Sequence, residues 1–102
     1  MNARFLPEVD AEVRAAAQWY EDHQPGMADR FLDAVLAAQF EIEKYPLRFR
    51  PPPGVRTTRP ARRRLFDGFP YIMIHEVRDF ALLIVAVAHT SRKPGYWRNR
   101  GG

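Results

Sequence analysis

FPYIMIHEVRDFALLIVAVAHTSRKPGYWRNR, residues 69–100, is the stretch that decides the fold. Two apolar runs, Tyr71 to Val77 and Ala81 to Ala88, flank Arg78, Asp79 and Phe80, and a basic, aromatic tail follows. Short runs rich in β-branched and aromatic residues read as strands, and so brief a break between two of them reads as a hairpin. In the first strand Tyr71, Met73, His75 and Val77 share one side, with Ile72, Ile74 and Glu76 on the other. The second, Ala81 to His89, is apolar on both faces, which predicts a central place in the sheet. The break contains no glycine, so the sequence leaves its turn geometry open.

Upstream, Arg62, Arg64 and Phe66 alternate with Arg63 and Leu65, a strand with basic decoration. Asp67 and Gly68 predict a tight turn leading into a strand that starts at Phe69. Before it lies YPLRFRPPPGVRTTRP, residues 45–60. Its prolines and Gly54 exclude a long helix or a central strand, and predict an extended surface connection with polyproline character at 51–53.

The first part of the chain is helical by period. Pro7 suits a first helical turn, and Glu8, Asp10 and Glu12 suit the positive end of a helix dipole. Val9, Val13, Ala16, Ala17 and Tyr20 form the apolar stripe of a helix that runs to about His23. Gln24, Pro25 and Gly26 break it. Met27 to Lys44 forms the second helix, with Phe31, Val35, Ala38 and Ile42 on one face and Leu32 and Leu36 beside them. The spacing of Trp19, Tyr20, Phe31 and Phe40 fits core packing better than a ligand box. A brief strand at Arg4, Phe5 and Leu6 precedes the helices. The expectation is an α+β fold: an N-terminal strand and a two-helix hairpin packed on a small, mainly antiparallel sheet.

At 102 residues the chain predicts one domain over residues 1–102, and a hydrophobic fraction of 46% fits a globular protein. The absence of cysteine excludes disulfides and cysteine metal sites. No window reaches the length of a membrane span, and MNARFLPEVD lacks the apolar core of a signal peptide, so a cytoplasmic location is expected. The charge is polarised. Residues 1–43 carry three arginines against nine carboxylates, a net −6, whereas residues 44–102 carry thirteen Lys or Arg against three carboxylates, a net +10. The second half therefore predicts an anionic partner, either nucleic acid or an acidic protein segment.

Chemistry is expected where the central strand opens onto the tail. His89, Arg92, Lys93, Tyr96, Trp97, Arg98 and Arg100 follow that strand and can converge with Arg62 and Arg64. Arginine forks bind phosphate, and Tyr96 or Trp97 can stack a base. Metal-free RNA cleavage needs a base for the 2′-hydroxyl, cations for the phosphorane and an acid for the leaving oxygen. His75 or His89 could titrate in those roles. The flanks of His75 favour a hydrogen-bonded core histidine, while His89 stays open. Three histidines at 23, 75 and 89 have no zinc-ligand spacing, so no metal or other cofactor is expected. Ser91 reads as a loop hydroxyl.

AAAQWYEDHQPGMADRFLDAV in the helices, GFPYIMIHEV in a strand and AVAHTSRKPGYWRNR at the end resemble the RelE/ParE superfamily of toxins from bacterial type II toxin-antitoxin modules. The resemblance spans nearly the whole chain in order. It implies the same fold of two helices on a small twisted sheet. It also implies hetero-oligomerisation with a cognate acidic antitoxin that wraps the basic surface and through which alone operator DNA is reached.

The superfamily divides by mechanism. A RelE-like member is a ribosome-dependent messenger RNA endonuclease; the catalytic residues would then be Arg62, Arg64, His89, Arg92 and Tyr96. Ile72, however, stands where such members carry an arginine after the strand's tyrosine. A ParE-like member poisons DNA gyrase, and F-P-Y and P-G-Y-W resemble that branch. Effector or antitoxin contacts are then expected at Arg62, Arg64, Arg92, Lys93, Tyr96, Trp97, Arg98 and Arg100. A member that has lost toxicity and only binds its antitoxin is the third reading.

Overall fold

The structure, a computed structural model, describes residues 1–52 and 60–101. Its elements are β1 (Ala3–Phe5), α1 (Pro7–His23), α2 (Met27–Lys44), β2 (Ala61–Leu65), β3 (Tyr71–Arg78) and β4 (Ala81–His89). The sheet order is β1-β4-β3-β2, with β1 parallel to β4 and the other pairs antiparallel. This is the expected α+β arrangement, and β4, apolar on both faces, is indeed internal. No helix among the described residues is long and apolar enough to cross a membrane.

Local chemistry sets the helix ends. Pro7 opens α1, with Glu8 and Asp10 in its first turn. Gly26 enters α2 at φ +90°, a conformation strained for any residue with a Cβ. No side chain at that position caps α2. Instead Glu21 of α1 accepts the Gly26 N–H at 3.1 Å and the Ala28 N–H at 3.1 Å, which fixes the angle of the helical hairpin.

The core is where the two periodicities meet. Phe31, Val35, Ala38 and Ile42 from α2 and Val9, Ala16 and Ala17 from α1 are buried with Met73, Ile74, Leu82, Ile84 and Val87 of the sheet. Phe31 anchors an aromatic cluster, its ring centroid 5.1 Å from Tyr71, 5.3 Å from Phe69 and 5.4 Å from Tyr20. Two expectations are corrected here. Leu32 and Leu36 do not flank the core, and Trp19 and Phe40 do not pack in it; all four are exposed. In helical projection Leu32, Leu36 and Phe40 point away from the sheet, Trp19 stands at the rim of the α1 stripe near the end of β4, and spacing alone does not say on which side of the stripe a neighbour lies.

The β3–β4 connection is a two-residue turn with both central residues in the left-handed region, Asp79 at φ 49° and Phe80 at φ 63°. This twist joins antiparallel strands without splaying them, and it is usually supplied by Asn-Gly. A register shift between Ile74 and His75 leaves Val85 of β4 as the extra residue, because Ile74 faces Ala86 while His75 faces Ile84. The β2–β3 connection differs from expectation. The strand begins at Tyr71 rather than Phe69, since Pro70 has no N–H to donate. Asp67 to Pro70 form a loop closed by the Phe66 N–H on the Tyr71 carbonyl at 2.9 Å.

After α2 the chain turns rather than extends. The Arg48 N–H donates to the Tyr45 carbonyl, Phe49 sits edge-on to His75, and the Arg50 carbonyl accepts the Arg63 N–H at 2.9 Å. Pro52 is buried. The polyproline reading at 51–53 and the rest of the connection through 59 lie in part outside the described residues.

Candidate functional site

Pro7 stops β1 early. The Leu6 N–H still pairs with the Ile84 carbonyl, but beyond it one edge of β4 has no strand beside it among the described residues. Two side chains complete that edge. Glu12 on α1 accepts the Val87 N–H at 3.0 Å, and Arg100 donates from Nη1 to the Val85 carbonyl at 3.1 Å. Arg100 and Glu12 meet as a fork, with Nη1 to Oε1 at 2.9 Å and Nη2 to Oε2 at 3.0 Å. The Tyr96 hydroxyl donates to Glu12 Oε2.

One carboxylate thus clasps helix, strand and tail. Between Tyr96 and Arg100, Trp97 turns into the core and is buried. Gly101 then accepts from Arg78 at the far end of the hairpin, so the tail returns along the sheet. Trp97, expected among the base-stacking and effector or antitoxin contacts, is thus placed in the core of the free chain. An indole beside a strand rich in alanine and valine is a cover for the sheet.

Where β4 ends, α1 and the tail enclose a cleft of about 530 Å³. Ala15, Ala16 and Ala88 make its floor, Trp19, Tyr20 and Tyr71 its aromatic wall, and His89, Arg92 and Tyr96 its polar side. The cleft brings three of the expected catalytic residues together. His89 Nδ1 accepts from the Ser91 N–H at 3.0 Å, which leaves Nε2 to carry the proton. The Ser91 hydroxyl lies 2.8 Å from the same nitrogen, so the loop hydroxyl sets the imidazole's orientation. The Arg92 guanidinium lies over the Tyr96 ring, 4.0 Å from its centroid. Burial first, then the hydrogen bond to Glu12 and its charge, push the Tyr96 phenol well above its ordinary range. It is a neutral donor committed to Glu12, poorly suited to give or take a proton.

The two strand arginines lie elsewhere. Arg62 donates to the Phe49 carbonyl at 2.7 Å. Arg64 is 3.3 Å from both Glu41 and Asp67. Neither lines the cleft. Convergence of the strand arginines with the tail, allowed by the sequence, is not what the fold delivers. His75 is the expected core histidine, fully buried, with Nε2 2.8 Å from the Pro46 carbonyl. Burial holds its pKa below the ordinary imidazole value, partly offset by that carbonyl and reinforced by the charge of Arg62. Lys93 and Arg98 are exposed on the tail, Arg98 turning its Nε to the Gly95 carbonyl at 3.1 Å.

Glu12 is the residue that sequence reasoning missed. It was assigned to the helix dipole, yet it lies three residues after Val9 and four before Ala16, inside the buried stripe. A lone carboxylate on an apolar face asks for partners from a distant part of the chain.

Glu12 also lines the cleft, its carboxylate held by Tyr96 and Arg100, so a guanidinium, an imidazole and a paired carboxylate stand beside an apolar, aromatic surface. A family model described as the ParE toxin of the type II toxin-antitoxin system, parDE, matches residues 3–94. It ends just before Gly95, so the clasp residues Tyr96 and Arg100 lie beyond it. No curated protein matches the chain.

Proposed function

We propose that this chain, which belongs to the ParE toxin family of type II toxin-antitoxin systems, arrests bacterial growth by binding DNA gyrase and is neutralised by a cognate acidic antitoxin. The chain acts as one domain in the cytoplasm, forms a hetero-oligomer with that antitoxin, and reaches operator DNA only through it. Maintenance of a plasmid that carries such a pair is the role that follows.

The observation that carries the gyrase reading is the commitment of the groups a nuclease would need. Tyr96 is bound to Glu12, Arg62 to the Phe49 carbonyl, Arg64 lies between Glu41 and Asp67, and Ile72 stands in the arginine position. Exposed at the strand end is a basic face of Arg92, Lys93 and Arg98, with Arg92 stacked on Tyr96. Such a face binds a protein surface or an acidic segment by charge and stacking without bond making. The charge of the second half, +10 over residues 44–102, supports an acidic antitoxin over the same face.

One observation favours the RelE-like alternative. His89, Arg92 and Tyr96 share the cleft, so an imidazole and a guanidinium already stand together there. The test pairs a supercoiling assay on purified gyrase with primer extension on translated message. Gyrase inhibition with intact message supports the proposal. Cleavage at the ribosomal A site that Arg92→Ala abolishes replaces it with the nuclease. Expression without growth arrest, with antitoxin binding retained, leaves a non-toxic antitoxin-binding protein.

A further inference from the structure

The outer face of α2 carries an apolar stripe that nothing among the described residues covers. Leu32, Leu36 and Phe40 stand one turn apart on the side opposite Phe31, Val35, Ala38 and Ile42. Leu36 is 60% and Phe40 71% exposed. The ends of the stripe differ in sign. Asp29 and Asp33 lie in the first turns, while Lys44 and Arg48 lie at the other end, beside a hollow of about 440 Å³ that Phe40 and Tyr45 help to line. None of these four charges enters an ion pair among the described residues.

We infer that this face is a self-complementary dimer interface, in which α2 packs antiparallel on α2 of a second copy about a two-fold axis through Leu36. Antiparallel registry about Leu36 sets Leu32 against Phe40 of the other copy, and Asp29 within reach of its Lys44 and Arg48. Both acid-to-base contacts repeat by symmetry, as an isologous interface requires. A parallel pair would instead bring Asp29 to Asp29 and Lys44 to Lys44. An acidic peptide laid along the same stripe would meet Asp29 and Asp33 at one end, so the second copy is the occupant that the charges fit. One helix on one helix is at the small end of specific interfaces, which makes the dimer weak and concentration-dependent. This inference is independent of whether gyrase is the target.

The chain has no cysteine, so a single introduced thiol reports on geometry. In Leu36→Cys the two thiols meet at the axis and a disulfide-linked dimer forms under mild oxidation. In Leu32→Cys they lie about 12 Å apart along the axis, eight residues at 1.5 Å each, and do not link. By light scattering, the wild-type chain is expected to double in mass between dilute and concentrated samples, and Leu36→Glu to stay monomeric with an unchanged circular dichroism spectrum. Equal cross-linking of the two cysteine variants, or a wild-type monomer at every concentration, overturns the inference. Protection of α2 amides that appears only with antitoxin bound also overturns it and assigns the stripe to the antitoxin.

Discussion

Replacing Glu12 with alanine removes an acceptor from four donors in one step: the Val87 N–H, the Tyr96 hydroxyl and two nitrogens of Arg100, of which Nη1 keeps the Val85 carbonyl. Removing one member of a buried ion pair costs about 3–5 kcal/mol. Both side chains here keep some solvent contact, 16% for Glu12 and 17% for Arg100, so the desolvated charge left behind is partly hydrated. Discounting for this gives about 2–4 kcal/mol, in which the orphaned Val87 N–H contributes about 1 kcal/mol or more. A domain of this size has a total of about 5–15 kcal/mol to lose. Urea unfolding should therefore show a midpoint lowered by about 1–2 M. Glu12→Gln keeps an acceptor for Val87 and loses the charge, so about half of that loss is expected.

Trp97 supplies the local readout. In a Trp19→Phe background its buried indole is the remaining tryptophan, and its emission should shift to the red in Glu12→Ala under native conditions as the tail lifts. Faster hydrogen exchange of the Arg98 and Arg100 amides should accompany it. A midpoint within about 0.3 M of wild type, together with unchanged Trp97 emission, refutes the clasp.

Two further outcomes follow from particular residues. Changing Asp79 and Phe80 to Asn-Gly puts glycine at one left-handed position and asparagine, which tolerates that region, at the other, and since Phe80 is 97% exposed no packing is lost; the thermal midpoint should rise, by about 1–2 kcal/mol in stability. His75 has a folded-state pKa below its unfolded value, so the unfolded chain takes up the proton first on acidification. Its contribution is complete above about pH 6.5 and is lost as pH falls through the lower folded value. Denaturation midpoints measured between pH 8 and pH 5 should decline, and His75→Gln, which can still donate to Pro46, should flatten that decline. Tyr20, Tyr71 and Tyr96 are all pushed up by burial, so the opposite limb, loss of stability above about pH 10, should appear in the same series.

The helices and the β3–β4 hairpin were legible because each rests on a period that the chain repeats several times. The bounds of α2 follow from Gly26 and the stripe of Phe31, Val35, Ala38 and Ile42, and the internal place of β4 follows from its two apolar faces. Features that depend on one residue meeting a distant one were not legible. Glu12 reads as an ordinary first-turn acid until β4 is seen to have an edge that β1 is too short to cover. Trp97 reads as an effector contact until the tail is seen to return along the sheet. Arg64 reads as a phosphate clamp until α2 brings Glu41 beside it. Helical spacing likewise gave Phe40 a core role, because a stripe of apolar residues does not reveal that a helix has two of them. The tail residues gathered at the cleft, His89, Arg92 and Tyr96, were found because they follow directly from a strand whose end was already placed.

The clasp also sets an order of events during synthesis. Glu12 belongs to the first helix to be made, and its partner Arg100 lies 88 residues later. The β1–β4 pair is similarly remote, with Ala3 beside Leu82. Contacts of such separation close late and slow the folding of a chain that relies on them. A nascent chain can form α1, α2 and the β3–β4 hairpin while Val85 and Val87 still lack their edge partners. Until the segment through Arg100 has emerged, the strand-end cleft has no Tyr96 side, and the surface that would engage a target does not yet exist.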